Sequence, residues 1–215
     1  MAHADVFRTM SRRVPKPDLT QRQVINPGAV PFPAWWESRP RSAFMAAMAT
    51  SVSQIGFAAT RVEDVVELAR ASRRTFYKHF DKGEDCLFAV HAAILDDALV
   101  AIDSAESEEA ALKGLMIYLA AWPAHAHVLL VAMPAAGPEG LRRHEAAQDE
   151  LAERIARCFG RTSSGAPGLS DDQLLQARFG AAQRLVQREV IAGKHRALPR
   201  LVPALSAVMS SVPTA

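Results

Sequence analysis

The sequence predicts an all-α protein: a short N-terminal head of three helices on a larger helical body. From Arg41 onward, apolar residues recur at spacings of three and four, which is the period of a helix with one buried face. Strict alternation of apolar and polar residues, the pattern of a half-buried strand, persists nowhere in the 215 residues. Glycines, prolines and polar capping residues divide the helical pattern into short elements first and longer ones later.

The bulk composition fits an ordinary folded protein and excludes several classes. Hydrophobic residues make up 49% of the chain and charged residues 22%, enough apolar surface to build a core. A net charge of +2 permits nucleic-acid binding without indicating it. Cys86 and Cys158 are far apart, which predicts neither a disulfide framework nor a zinc site. No apolar run reaches membrane-spanning length, and charges interrupt any signal-peptide layout, so we expect a soluble cytoplasmic protein without a membrane partner.

Residues 1–38 are predicted to form a basic, proline-rich extension. Five prolines interrupt this stretch, so no long helix can run through it. Phe32, Trp35 and Trp36 cluster at its end, and aromatic side chains at that density are expected to dock on the folded head. The alternative is an arm that follows the DNA backbone or the minor groove.

The first helix of the head begins near Arg41 and ends at Gly56. Phe57 follows Gly56 in the position where an apolar residue closes a left-handed C-terminal cap. The apolar stripe that this helix buries consists of Phe44, Met48, Val52 and Ile55.

Polar residues then mark the starts of three more helices. Thr60 with Glu63 forms the pattern of a capping box at the second helix, and Asp81 with Glu84 repeats it at the fourth. Ser72 is the predicted N-cap of the third helix, which runs to about His79. The inward residues are Val62, Val65, Val66 and Ala69 in the second helix, Phe76 and Phe80 in the third, and Leu87, Val90, Ile94 and Leu95 in the fourth.

The turn between the second and third helices is very short. Only Arg70 and Ala71 lie between Ala69 and Ser72, which forces the two helices to cross steeply, as in a helix-turn-helix. Residues 70–82 hold five lysines and arginines against one acid, Asp81, and such a surface suits a phosphate lattice. The alternative is a solvated basic helix in a plain bundle, but the conjunction of caps, short turn and aromatic anchors favours DNA.

The rest of the chain is predicted to be helical, with one long loop. The predicted helices cover residues 108–121, 123–134, 138–159, 171–192 and 198–212, and residues 160–168 form the loop. This gives three regions: the extension at 1–38, a helix-turn-helix domain at 39–86, and a larger helical body at 87–215.

The stretch TRVEDVVELARASRRTFYKHFDKGE, residues 60–84, resembles the signature of the tetracycline-repressor (TetR) family. The preceding Gly56-Phe57 pair and the helix before it match as well, so the resemblance covers about residues 41–87. It implies that residues 72–79 form a recognition helix in the major groove. Three departures affect the detail: Arg70 and Arg74 stand where the family often has Gly, and Gly83 replaces a common Lys.

The resemblance also implies which residues touch DNA. Arg73, Arg74 and Thr75 are predicted to read bases, since an arginine can bond guanine at two atoms. Tyr77 and His79 are predicted to contact phosphates or base edges. The full predicted DNA-binding set is Thr60, Arg61, Ser72, Arg73, Arg74, Thr75, Tyr77, Lys78, His79 and Lys82.

The body is predicted to dimerise and to bind a small molecule. One short helix reads too few bases for specificity, so such proteins bind as dimers. The resemblance implies an interface on the last two helices, with Leu174, Leu185, Val186, Val190, Leu201, Leu205 and Val208. It also implies a cavity, with candidate lining residues Met116, Tyr118, Trp122, His125, Met133, Phe159, Phe179 and Gln183. For both sets the alternative is plain core packing.

These observations predict a DNA-binding transcriptional regulator, most simply a repressor that a small-molecule ligand releases from its operator. Its expected partners are duplex operator DNA, a second copy of the chain and an unidentified effector. The alternatives are a transcriptional activator of the same family, or a helical scaffold without DNA binding. An enzyme is not expected, because no nucleophile elbow, phosphate-binding loop or zinc-ligand spacing is present. His125 and His127 face opposite sides of a helix, so neither a metal nor a cofactor is predicted.

Overall fold

The computed structural model describes residues 40–159, 168 and 170–210, all of which belong to one compact unit. Every regular element in these residues is a helix, so the predicted all-α fold is confirmed. The predicted extension with Phe32, Trp35 and Trp36, most of the loop at 160–168, and residues 211–212 lie outside the described residues.

The head consists of α1 (Pro40–Ile55), a 3₁₀ turn (Phe57–Ala59), α2 (Val62–Leu68) and α3 (Arg73–Phe76). Phe44, Met48 and Val52 are fully or almost fully buried, as the stripe in α1 predicted. Gly56 ends α1 at a φ of 77°, but its ψ of 158° is not left-handed helical. The predicted left-handed cap is therefore wrong, because Phe57 instead begins the 3₁₀ turn.

Two of the predicted caps are also wrong, and one is confirmed. Helix α2 begins one residue later than predicted: the backbone N–H of Arg61 donates to Asp64 Oδ2 at 2.9 Å. The predicted box of Thr60 with Glu63 is not formed, because Arg61 is the N-cap and Asp64 is at N3. The Thr60 hydroxyl instead donates to Gly56 O at 2.8 Å. Lys82 is the N-cap of the fourth helix, without a side-chain cap from Asp81. Ser72 does cap α3, accepting from the Thr75 N–H at 3.1 Å.

Helix α3 is shorter than predicted. Its α-helical part ends at Phe76, and residues 77–79 continue as a hydrogen-bonded turn rather than as α-helix up to His79. The N–H of Lys78 donates to Thr75 O, and that of His79 to Phe76 O at 2.9 Å. Such i to i−3 bonds tighten the last turn of a helix and use carbonyls that would otherwise lack a partner.

The body follows without a break in the core. Its elements are α4 (Gly83–Asp103), α5 (Glu108–Ala121), α6 (Pro123–His127), a π-helical segment (Val128–Ala132), a 3₁₀ turn (Met133–Ala136), α7 (Gly137–Phe159), α8 (Asp171–Ile191), a 3₁₀ segment (His195–Leu201) and α9 (Val202–Ser210). The boundary predicted between residues 86 and 87 falls inside α4. Buried side chains form one cluster from Phe44 in the head to Met209 in α9.

Helix α1 and the π-helical segment connect the two regions. Helix α1 packs against α2 and α3 in the head and against α4, α6 and the π-helical segment. The π-helical segment in turn contacts α4, α8 and the 3₁₀ turn that follows it. The side chain of Gln187 supports it from α8, donating from Nε2 to Leu130 O at 2.9 Å. A change in the body thus has a direct packing route to the head.

Across the described residues, no single helix is long and apolar enough to cross a membrane. One pair, Glu108–Ala121 with Pro123–Cys158, passes on length and composition when taken together, but the chain bends by 108° between the two parts.

Candidate DNA-binding site

The turn between α2 and α3 is as short as the sequence predicts. Arg70 lies at a φ of 51°, the only non-glycine residue with a positive φ among those described. The N–H of Ala71 donates to Val66 O at 2.9 Å and that of Arg70 to Glu67 O at 3.1 Å, which closes the end of α2. A left-handed conformation costs a residue with a side chain about 1–2 kcal/mol. Arg70 accepts this cost where glycine would avoid it.

The inward side of α3 is held by two aromatic rings. Phe76 is fully buried and meets Phe44 edge-on, with ring centroids 5.3 Å apart. Phe80 is buried beside it, and the Arg41 guanidinium lies 5.0 Å from the centre of the Phe80 ring. A helix of one turn is not stable alone, so these contacts fix its position and orientation.

The outward side of the same element is polar and cationic. Arg73, Arg74, Lys78 and His79 are exposed, and the Tyr77 side chain is 46% exposed with its ring edge-on to Phe76 at 5.5 Å. The Tyr77 ring is thus supported by Phe76 while much of it stays exposed. This arrangement presents cations and hydrogen-bond donors on the exposed side of α3 and the turn that follows it.

One of the two arginines at the start of α3 is paired and the other is not. Arg73 Nη1 lies 2.8 Å from Glu63 Oε1 of α2, with both side chains more than half exposed. Exposed pairs of this kind contribute about 0–1 kcal/mol, so Arg73 can exchange Glu63 for a phosphate or a base at low cost. Arg74 has no carboxylate partner among the described residues.

The other predicted DNA contacts divide into exposed and engaged side chains. Arg61 and Lys82 are exposed where α2 and α4 begin. Ser72 caps α3, and its hydroxyl lies 2.9 Å from that of Thr75. Thr60 is half-buried and bonded to Gly56 O and to the Ser51 hydroxyl at 3.2 Å. A contact from Thr60 to DNA would therefore have to replace one of these bonds.

The body contains an apolar cavity of about 50 Å³ between α5, the π-helical segment, α7, α8 and α9. Of the predicted lining residues, Met116, Phe179 and Gln183 line it. Tyr118, Trp122, His125 and Met133 do not, and the side chain of Phe159 lies outside what the structure describes. Met133 is instead fully buried in the core.

Three of the residues that do not line the cavity, Tyr118, Trp122 and His125, form a separate cluster that joins α4, α5 and α6. The Tyr118 hydroxyl lies 2.9 Å from His125 Nδ1 and 3.4 Å from Asp97 Oδ2 of α4. Trp122 stacks on His125, with ring centroids 5.3 Å apart. Burial lowers the pKa of His125 to about 4, so its ring is neutral at physiological pH. Periodicity identified these residues as buried but could not show against what they pack.

The sequence did not single out Gln148, which also lines the cavity. Its side chain is only 8% exposed, and neither amide atom has a hydrogen-bond partner among the described residues. Leu151 and Ile155 of the same helix line the cavity as well. The signal that could have identified Gln148 is its place in this stripe, at spacings of three and four, where an apolar residue would be expected.

The residues predicted for the dimer interface divide into buried and partly exposed side chains. Leu174, Val186, Val190 and Leu205 are buried within the single chain, and Val186 and Leu205 line the cavity. Their burial fits the alternative that the sequence left open, packing in the chain's own core, because apolar spacing does not distinguish a partner from that core. The interface itself stays a prediction. Leu185, Leu201 and Val208 remain partly exposed.

Fold and surface together define an all-helical protein with an N-terminal helix-turn-helix head, the architecture of DNA-binding regulators. Within that class, residues 45–90 match the family described as bacterial regulatory proteins, tetR family. The predicted resemblance to the TetR family is thereby confirmed. No curated protein matches the chain in sequence.

Solved structures with the same fold include several TetR-family regulators. The fatty acid degradation regulator FadR of Bacillus halodurans is 18% identical, with a TM-score of 0.63 over 83% of this chain and 99% of that one. PfmR, a TetR-family transcriptional regulator of Thermus thermophilus, is 15% identical, with a TM-score of 0.61 over 83% and 100%. FadR of Bacillus subtilis, solved in complex with stearoyl-CoA, is 16% identical, with a TM-score of 0.60 over 80% and 98%. At these identities the likeness extends to the fold alone.

Proposed function

We propose that this chain is a homodimeric transcriptional repressor that a small ligand in its body releases from operator DNA. The observation that carries the proposal is the two-sided α3 element. Phe76 and Phe80 anchor it in the core, while Arg74, Lys78 and other exposed groups cover its outer side.

The outer side of α3 suits a DNA groove in charge and chemistry. Arg74 is exposed and without a carboxylate partner in the described chain, so it can bond guanine O6 and N7 together. Tyr77, Lys78 and His79 lie in the turn that follows and supply phosphate contacts. Residues 70–82 hold five lysines and arginines against one acid, so binding should weaken steeply as salt concentration rises.

Ligand control is supported by the packing between cavity and head. Leu129 and Leu130 line the cavity and belong to the π-helical segment, which contacts both α1 and α4. Helix α4 starts at Gly83, directly after α3 and the residues that surround it, 70–82, which we call the α3 region. A ligand that shifts the π-helical segment would tilt α4, and in a dimer this changes the spacing of the two heads. Because half-sites lie at a fixed separation, such a tilt weakens both DNA contacts together.

The second copy is proposed to dock on the exposed faces of α8 and α9. Small exposed residues there, including Ala177, Ala181, Ala204 and Ala207, allow helices to approach closely, and Ile191 at the end of α8 is 60% exposed. The partly exposed Leu185, Leu201 and Val208 belong to the same two helices or the segment between them. Together these residues replace the buried ones that the sequence had suggested.

The test begins by selecting, from fragments of the source genome, DNA duplexes that bind the purified chain. One selected duplex is then titrated with the chain, and binding is measured by fluorescence anisotropy. The comparison uses Arg74→Ala and, as a matched control, Arg157→Ala, an exposed arginine of α7. Loss of a two-bond arginine contact should lower affinity about 10-fold or more for Arg74→Ala. Arg157→Ala should leave it unchanged. If no duplex is selected, or if both variants bind like the wild type, the proposal is wrong.

A further inference from the structure

We propose that Arg70, in the turn between α2 and α3, binds a DNA phosphate, and that this contact is the reason a side chain occupies a strained backbone position there. Arg70 is outside the DNA-binding set predicted from the sequence. The proposal adds a residue to the proposed DNA surface and rests on that function. It predicts that relieving the strain stabilises the chain and weakens its binding to DNA.

The backbone conformation of Arg70 is needed by the turn, but the arginine is not. The N–H of Arg70 donates to Glu67 O at 3.1 Å, and that of Ala71 donates to Val66 O at 2.9 Å. These are the two hydrogen bonds of a Schellman motif, in which the residue after the C-cap is left-handed and usually glycine. Arg70 holds that position at a φ of 51°. A side chain crowds the backbone in this conformation, and glycine would form the same turn without the strain.

Within the described chain, the Arg70 side chain contributes neither burial nor an ion pair that would offset the strain. Ala69 and Ala71 on either side pack against the core, whereas Arg70 between them is exposed. No carboxylate among the described residues pairs with it, although Glu67 is three positions earlier. Strained residues cluster where their side chains serve a function. The benefit of an arginine here must therefore come from a partner outside the chain.

The surroundings of Arg70 favour a phosphate as that partner. Arg70 is two residues before Ser72, the N-cap of α3, and thus beside the end of the helix that carries Arg73 and Arg74. Like charges so close in sequence repel one another unless a polyanion faces them. Phosphates line the edges of each DNA groove, so a cation beside the element that enters the groove meets the backbone rather than a base edge. A guanidinium can bond two phosphate oxygens together.

A phosphate contact differs from a base contact in two measurable ways. It carries no sequence information, so its loss weakens binding to the operator and to an unrelated duplex by the same factor. It also releases about one counterion from DNA, so its loss lowers the slope of log affinity against log salt by about 1. Loss of a base contact would instead weaken binding to the operator in particular.

The experiment compares three substitutions of Arg70 in the full-length chain. Arg70→Gly removes both the strain and the cation, Arg70→Ala removes only the cation, and Arg70→Lys removes neither. Thermal unfolding measures the strain. Anisotropy titrations at several salt concentrations, with the selected operator duplex and with an unrelated duplex, measure DNA binding. Lys113→Gln, which neutralises an exposed lysine of α5, is the matched control for the change in net charge.

The expected results separate the backbone from the side chain. Arg70→Gly should unfold about 2–4 °C above Arg70→Ala, because only glycine avoids the strain. Both variants should bind both duplexes about 3-fold to 10-fold more weakly than the wild type at about 0.15 M salt, with a salt slope smaller by about 1. Arg70→Lys should keep the wild-type salt slope, since the slope depends on the charge. Lys113→Gln should bind like the wild type.

Three results would overturn the inference and leave the proposed function intact. The first is wild-type binding of both duplexes by Arg70→Gly and Arg70→Ala. The second is a loss confined to the operator, which would make Arg70 a base-reading residue. The third is an unfolding temperature of Arg70→Gly no higher than that of Arg70→Ala, which would mean that the position is not strained. A wild type that binds no duplex at any salt concentration would refute the proposed function and this contact together.

Discussion

The α3 region and α7 both carry many charged side chains on their outer surfaces, but they handle the charges differently. On α7, Arg142 and Arg143 lie 2.5 Å and 2.6 Å from the carboxylate of Glu139, and Arg154 pairs with Glu150 and with Asp103 of α4. In the α3 region only Arg73 is paired, to Glu63, whereas Arg74 and Lys78 have no carboxylate partner in the described part of the chain. The number of charges does not distinguish a nucleic-acid surface from a solvated face. We expect a cluster of unpaired cations on an anchored element to mark the proposed DNA-binding surface, and not single ones such as Arg157 of α7.

The interior of the body differs from the surface of the head in how it holds polar groups. Its polar groups are buried and neutral: His91 of α4 is almost fully buried, and burial, with help from His144 and Arg143, lowers its pKa to about 4. The head keeps its arginines and lysines at the surface, where they can meet an external partner. The following predictions test this division, beginning with the largest effect.

The inward anchor of α3 should be essential to the head. Phe76→Ala should lower the free energy of unfolding by about 3–5 kcal/mol, because it empties a fully buried ring site beside Phe44. Chemical denaturation measures the effect. Tyr77→Ala, one position along and largely on the surface, is the control and should cost much less. Equal losses in the two variants would show that α3 is not held in the way described.

Acid should destabilise the body. His91 and His125 have pKa values lowered from 6.5 to about 4, so the unfolded chain takes up protons more readily than the folded one. Stability should be independent of these groups above pH 6.5 and fall as pH decreases from about 6.5 to 4. The slope is at most about 1.4 kcal/mol per pH unit for each histidine. Denaturation midpoints across this range, compared with those of His91→Phe, measure it, and a flat profile would contradict neutral burial.

Reversing an unpaired charge should affect DNA, and reversing a remote charge should not. Lys78→Glu should reduce operator affinity about 10-fold or more and lower the slope of log affinity against log salt by about 1. Lys113→Glu, an exposed lysine of α5, is the matched control. Anisotropy titrations at several salt concentrations give both quantities. The same loss in both variants would indicate only a general effect of net charge.

Breaking the ion pair between Arg73 and Glu63 should have the smallest effect, and it should raise the affinity for operator DNA. Glu63→Gln frees Arg73, so operator affinity at low salt should rise about twofold to threefold while stability falls by less than about 1 kcal/mol. Glu150→Gln, which loosens a pair on α7, should leave DNA affinity unchanged. A loss of DNA affinity in Glu63→Gln would mean that the pair positions Arg73 for binding rather than competing with DNA.

Much of the head could be predicted from local sequence patterns. The stripe in α1, the Ser72 cap, the two-residue turn and the inward Phe76 and Phe80 all follow from residue type and spacing, which act within a few residues of the chain. The box predicted at Thr60 was off by one residue: Arg61 is the N-cap, and its backbone N–H donates to Asp64 Oδ2. The Thr60 hydroxyl donates to Gly56 O in the preceding turn.

The sequence by itself determined that these segments are helical, which of their faces are apolar, and that residues 70–82 are cationic. It could not determine what each apolar face packs against, because that depends on residues far along the chain. The spacing of Val186 and Leu205 therefore suggested an interface, although both side chains are buried in the chain's own core. Gln148 lies on a helix with many charged residues and was not predicted to line a cavity, yet it lies against an apolar one. Tertiary packing decided where Val186, Leu205 and Gln148 lie, because folding brings together side chains from distant segments. A polar side chain loses contact with water only where such segments meet.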